Sequence, residues 1–177
     1  MENYKRLKRI PVHKGHIIDM YTDVIELPNG KEAHWDYIHH KGAAAIVPVD
    51  KDGKIIMVRQ YRNAIEKYSL EIPAGGLNAG EDMISCASRE LEEETGYTSK
   101  NIKHLITLYT TVAFCNEQIG IFYSNELEPT AQNLDEDEFV TIERYSLEEL
   151  VEKIFTGEID DAKTISAILA YKTKMNL

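Results

Sequence analysis

The 177-residue sequence predicts an α+β fold, a mixed sheet lying between helices and preceded by a β-hairpin. Three observations predict it. Strand patterns joined by turn chemistry come before the first helix; Ala43 to Val49 is an unbroken apolar run of the kind a doubly covered strand needs; and three helical patterns follow, with further strands between them. This order lacks the strict strand–helix alternation of a doubly wound parallel sheet.

Taken in order, residues 16–27 alternate as a strand with Ile18, Met20 and Val24 on one face. Pro28-Asn29-Gly30 turns the chain, and Lys31 to Ile38 alternates again with Ala33, Trp35 and Tyr37 on one side. Residues 1–41 are therefore expected to hold a hairpin, and residues 42–177 the main domain. After the apolar run, Asp50-Lys51-Asp52-Gly53 turns into a strand at Lys54–Arg59, and Tyr68–Pro73 forms another. Further strands are expected at His104–Thr110, Ile119–Ser124 and Phe139–Tyr145. Ser146 opens a helix with a capping box to Glu149, which Gly157 closes. A last helix spans about 161–174 with Ile165, Ile168 and Leu169 inward.

The chemistry concentrates in Gly75 to Tyr97, GGLNAGEDMISCASRELEEETGY. A glycine-rich loop leads into a helix from Asp82 to Thr95, with Ile84, Ala87 and Leu91 as its apolar stripe and Gly96 as its left-handed stop. Glu90, Glu93 and Glu94 share one face of the last two turns. Like charges at this spacing repel, and the helix C-terminus is already negative. A hard divalent cation with oxygen ligands relieves that strain; a solvated acidic face is the alternative.

The spacing decides between them. Gly75, Glu81, Arg89, Glu90, Leu91, Glu93, Glu94 and Gly96 fit G-x5-E-x7-R-E-U-x-E-E-x-G-U, with U a bulky apolar residue and Tyr97 a mild departure at the last position. The stretch resembles the Nudix box, the metal-binding loop–helix of the Nudix hydrolases. The resemblance implies an α/β/α sandwich and a Mg²⁺-dependent pyrophosphohydrolase, with Mn²⁺ as the alternative ion. It implies Glu90, Glu93, Glu94 and the Ala74 carbonyl as metal ligands, and Arg89 as the residue that orients the glutamates. Glu81 either reaches a metal through water or caps the loop.

Further stretches resemble the ADP-ribose pyrophosphatase branch: Val58-Arg59-Gln60-Tyr61-Arg62, Glu71-Ile72-Pro73-Ala74-Gly75, and Asp161-Ala162-Lys163-Thr164. In that branch the N-terminal hairpin is exchanged across a homodimer and brings an aromatic onto the base. Trp35 matches that aromatic, with core packing as its other reading, and Arg62 and Glu71 match substrate contacts. The general base is expected from the acidic loop Leu134–Glu138, with Glu136 and Glu138 as candidates and Glu138 preferred. Val112 and Ala113 stand where the branch usually has proline and glycine, so the loop is expected to bend differently around the terminal sugar. ADP-ribose, cut to AMP and ribose 5-phosphate, is the first expectation, and GDP-mannose or another nucleoside diphosphate sugar is the rival. A non-catalytic nucleotide-sugar sensor is disfavoured, because every box carboxylate is intact.

Composition is that expected of an ordinary soluble globular protein. A net charge of −10 argues against nucleic acid as partner, and no stretch approaches the ~18 apolar residues of a membrane span. Cys86 and Cys115 match neither a disulfide framework nor a metal spacing, so the expected compartment is the reducing cytoplasm.

Overall fold

A computed structural model describes residues 3–134 and 138–177. The chain forms two compact units, Met1–Gly42 with Tyr109–Gln118, and Ala43–Leu108 with Ile119–Leu177.

The first unit carries strands β1 (Lys5–Lys14), β2 (Asp19–Glu26) and β3 (Glu32–His39), antiparallel in the order β1-β2-β3. The expected hairpin is thus β2–β3, and β1 is an addition that its sequence hides. KRLKRIPVHK is almost wholly exposed and has no apolar alternation to mark it. Its lysines and Pro11 suit an edge strand, where bare backbone is a liability. What secures it is Arg9, whose Nε and Nη2 donate to Asp23 Oδ1 and Oδ2 at 2.7 and 2.6 Å. The same guanidinium lies 3.5 Å from the Tyr37 ring centroid, so one side chain ties all three strands together. The segment before Gln118 belongs to this unit: Ile38 N donates to Phe114 O at 2.7 Å, and His40 N donates to Asn116 Oδ1 at 2.8 Å.

The second unit is built on β4 (Ala43–Pro48), every residue of which is buried. Strands β5 (Ile55–Arg62), β6 (Lys67–Glu71), β7 (Ala74–Gly76), β8 (Tyr97–Thr98), β9 (Lys103–Tyr109), β10 (Gln118–Ser124), β11 (Glu128–Pro129) and β12 (Thr141–Tyr145) follow, with helices α1 (Met83–Thr95), α2 (Leu147–Phe155) and α3 (Ala162–Met175). One sheet runs β7-β4-β10-β9, with β4 parallel to β10 and antiparallel to β7, and a second runs β12-β5-β6. The sheet is mixed, as expected.

The two faces of β4 explain its unbroken apolar run. Ala43, Ala45 and Val47 join a core with Leu147 and Leu150 of α2 and Ala167, Ile168 and Tyr171 of α3. Ala44 and Ile46 point the other way, against Cys86, Ala87 and Leu91 of α1. Helices therefore cover both faces, and truncating a fully buried residue such as Leu91 to alanine would cost about 2–5 kcal/mol. Among the described residues no helix is long and apolar enough to cross a membrane.

Local expectations are corrected in three places. Ile84 is exposed; the buried face of α1 consists of Cys86, Ala87, Glu90, Leu91, Glu94 and Thr95, so two of the glutamates share the apolar face. Strand β12 begins at Thr141, and Phe139 is exposed. In α3 the buried residues are Thr164, Ala167, Ile168 and Tyr171; Ile165 is only partly buried against that core and Leu169 is not part of it. The Ser146–Glu149 capping box is present in both directions.

Candidate active site

Pairing of β7 with β4 sets Gly75 opposite Ala44, and the following loop delivers the chain to the N-terminus of α1. There Asp82 accepts a hydrogen bond from Ser85 N at 2.8 Å and caps the helix. Glu81 closes the loop by accepting from Asn78 N at 2.8 Å. At the far end Gly96 adopts φ 66°, the left-handed stop, and donates to Glu92 O. A side chain there would crowd the backbone of residues 130–132, which cap the last turn. Thr130 N donates to Gly96 O, Asn133 N to Glu93 O, and Gln132 Nε2 to Glu94 O at 2.7 Å.

Arg89 is the hub of the carboxylates. Its Nη1 donates to Glu90 Oε1 at 2.6 Å and to Glu93 Oε2 at 2.8 Å, and its Nε donates to Glu81 Oε1 at 2.9 Å. A third edge reaches Gly76 O at 3.1 Å, which joins the helix to the glycine loop. Glu90 lies against the Cα of Gly75 so closely that a Cβ on residue 75 would overlap its carboxyl group. Glu94 Oε2 accepts from Ala74 N at 2.9 Å.

Glu90 and Glu94 are almost fully buried, whereas Glu93 stays partly open. Burial raises the pKa of Glu90. Burial, and next the charge of Glu90, push Glu94 up to about 8. The half-buried Glu138 adds to the upward push on both, which puts this loop residue within electrostatic reach of the pair. Glu136 lies outside the described residues.

Arg62 and Glu71 form a second charged group. Arg62 Nε and Nη2 donate to Glu71 Oε1 and Oε2 at 2.8 and 2.7 Å, and Lys163 Nζ donates to Glu71 Oε2 at 2.5 Å. Burial on its own would raise the pKa of Glu71, but the two cations outweigh it and hold the carboxylate at about 2. Glu71, expected as a substrate contact, is thus a buried carboxylate with both oxygens engaged by cations. The Glu94 charge is also felt at Arg62, which places the two groups side by side. Sequence reasoning gave Lys163 no role; the signal was the Asp161–Thr164 stretch, where a lysine at the second helical position reads as solvated.

Trp35 belongs to the first unit. The residue is 48% exposed and is not part of a buried core within that unit. It lines a pocket of about 570 Å³ with Met20, Ile38, Ala113 and Phe114. The loop in which Val112 and Ala113 replace proline and glycine therefore shares a pocket with the tryptophan expected to meet the base.

Among the described residues no three acidic, histidine or cysteine side chains form a ready-made cage, because Arg89 draws Glu90 and Glu93 onto itself. All available donors are nonetheless oxygens, two are buried carboxylates disfavoured as anions, and residue 75 is cleared of any Cβ beside one of them. Those features fit a hard cation.

A family model described as the NUDIX domain matches residues 39–168. An ADP-ribose pyrophosphatase of Bacillus subtilis (strain 168) is 41% identical over 166 residues, covering 93% of this chain and 90% of that protein. A methanol dehydrogenase activator of Bacillus methanolicus is 39% identical over the same shares of each chain. A crystal structure of an ADP compounds hydrolase superposes with a TM-score of 0.88 at 22% identity, covering 99% of this chain and 96% of that one, and so shares the fold.

Proposed function

This chain belongs to the Nudix hydrolases, and from that premise we propose that it hydrolyses the pyrophosphate of a nucleoside diphosphate sugar, ADP-ribose first among them. The observation that carries the reading is the buried Glu90–Glu94 pair set against Gly75 and steadied by Arg89. Two carboxylates buried together, each raised in pKa, are held for a cation rather than for stability.

Glu90, Glu94, Glu93 and the Ala74 carbonyl would hold Mg²⁺, or Mn²⁺ in its place. When bound, the ion neutralises pyrophosphate charge and acidifies water. The protein's own residues do the rest. Arg89 keeps the glutamates in register, since a planar fork can serve several carboxylates at once. Arg62 binds the phosphates. Glu138 takes the proton from the attacking water as its oxygen bonds to phosphorus and the bridging P–O bond breaks, releasing AMP and ribose 5-phosphate from ADP-ribose. Trp35 offers an exposed ring for the base to stack on.

A second copy of the chain is the proposed partner. The first unit exposes Tyr4, Leu7, Val12, Ile17, Trp35, Val112 and Phe114, more apolar surface than a small sheet keeps in water. The free thiols of Cys86 and Cys115 suit a reducing cytoplasm. One observation favours a rival substrate: Ala113, which stands where the branch usually has glycine, lines the Trp35 pocket, so GDP-mannose stays the second reading.

The test is phosphatase-coupled turnover on a panel of nucleoside diphosphate sugars, with Mg²⁺ and with excess chelator. ADP-ribose should give the highest kcat/KM, and chelator should abolish turnover. Preference for GDP-mannose would shift the substrate, and no turnover on any member would overturn the reading.

A further inference from the structure

We propose that Lys163 is a positioning residue for substrate, holding Arg62 in its phosphate-binding pose through the buried carboxylate of Glu71. The inference rests on the reading above that Arg62 meets the phosphates.

Glu71 is 2% exposed, whereas the Arg62 side chain is 41% exposed. Such a pair is lopsided. The carboxylate has left water and must find its compensation inside the protein, while the guanidinium must stay available to a ligand. With Arg62 as its one cation, Glu71 would draw the whole guanidinium inward. A second buried cation removes that demand. Lys163 is 11% exposed and lies 2.5 Å from Glu71 Oε2. Two N–H groups of Arg62 then suffice to lock its plane on Glu71, and the fork keeps its outward edge.

Tethering α3 to the strand is a simpler role for Lys163, but that task is already done by uncharged groups. Ile72 N donates to Thr164 Oγ1 at 3.1 Å, and Thr164 is bound in turn to the helix cap Asp161 at 2.6 Å. Lys163 is itself aimed by Asp161, whose Oδ2 is 2.9 Å from Nζ. Its position is therefore set by the helix terminus, and its charge is directed at Glu71. Arg62 and Lys163 are matched by Glu71 and Asp161, so the group is neutral beside Glu94; without Lys163 it would carry a net negative charge where an anionic substrate would arrive.

The experiment measures kcat, KM and Tm with ADP-ribose and Mg²⁺ for Lys163→Met, Lys163→Arg, Arg62→Ala and the Arg62→Ala/Lys163→Met double variant. Calorimetry adds the Kd of an α,β-methylene analogue of ADP-ribose. Loss of a charge-assisted contact should raise KM and Kd about tenfold in Lys163→Met, with kcat within about twofold. Lys163→Arg should recover most of the binding, and Lys163→Met should add less than about twofold once Arg62 is gone. A lowered Tm with unchanged KM and Kd, or penalties that add fully in the double variant, would overturn the proposal. If Arg62→Ala alone binds normally, the phosphate-contact reading has failed and the proposal falls with it. Should Lys163→Met not fold, Lys163→Arg and Glu71→Gln carry the comparison, and an unchanged KM in Glu71→Gln would refute it.

Discussion

The carboxylate of Glu90 occupies the space that a side chain on Gly75 would need. Gly75 does not have a positive φ, so its lack of a side chain serves this approach rather than a turn. Gly75→Ala should therefore leave the backbone unstrained and still push Glu90 off its position beside Arg89. We expect kcat to fall by at least ~10²-fold, the scale of losing a main electrostatic group, with Tm within a few degrees of wild type. Near-normal turnover would show that Glu90 can work from elsewhere.

Glu94→Gln should lower kcat by at least ~10²-fold while folding normally, because the variant keeps the shape and an acceptor for Ala74 N but loses the charge. Steady-state turnover in Mg²⁺, with circular dichroism as the folding control, reads this directly. Comparable activity of variant and wild type would remove Glu94 from the site.

Glu94 also predicts a pH signature in metal-free protein. Its folded pKa is about 8 against an unfolded value of 4.5, so between them the folded state keeps a proton that the unfolded chain has released. Stability must then fall as pH rises from about 4.5 towards 8. Wild-type Tm in chelator should drop by ~3 °C or more between pH 5.5 and 8.5, less so in saturating Mg²⁺. Glu94→Gln should flatten the profile. An equal slope in that variant would trace the effect to other groups.

Glu138 raises the pKa of both Glu90 and Glu94, and so stands near them. As a base it acts in the transition state, so Glu138→Gln should depress kcat by ~10²-fold or more and leave KM nearly unchanged. Wild-type kcat across the pH range would exclude it, and a defect confined to Glu136→Gln would move the role there.

Trp35 and its exposed neighbours make the oligomeric state testable. Sedimentation at micromolar concentration should show a dimer, and Trp35→Ala should raise KM by about tenfold through lost stacking. A fully active monomer would refute the shared-site reading.

How much of this the sequence showed depended on whether local physics or distant partners decided each feature. Gly96 and the Ser146–Glu149 box announce themselves because a left-handed stop and a capping box are local. Ala43 to Val49 reads as doubly covered because both faces are apolar. Strand β1 escaped because what holds it is Arg9 on Asp23 and Tyr37, a pairing that no alternation encodes. In the site, spacing put Glu90, Glu93 and Glu94 on a common face, but not which would be buried; that followed from Ala87 and Leu91 turning the same side to β4. Lys163 and Glu71 are far apart in the chain, and only the arrival of α3 at β6 makes them a pair.

The parallel pairing of β4 with β10 has a consequence for how the chain is made. Residues 43–48 wait for residues 119–124 before that edge is closed, whereas β7 and α1 become available much sooner. On the ribosome, then, the glycine loop and the carboxylate helix can dock on one side of β4 while its other edge is still open. The nascent intermediate carries Glu90, Glu93 and Glu94 on half a sheet, with a bare apolar edge exposed until β10 emerges. Synthesis pauses between residues 97 and 118 would lengthen that exposure, and chaperone dependence should be greatest there.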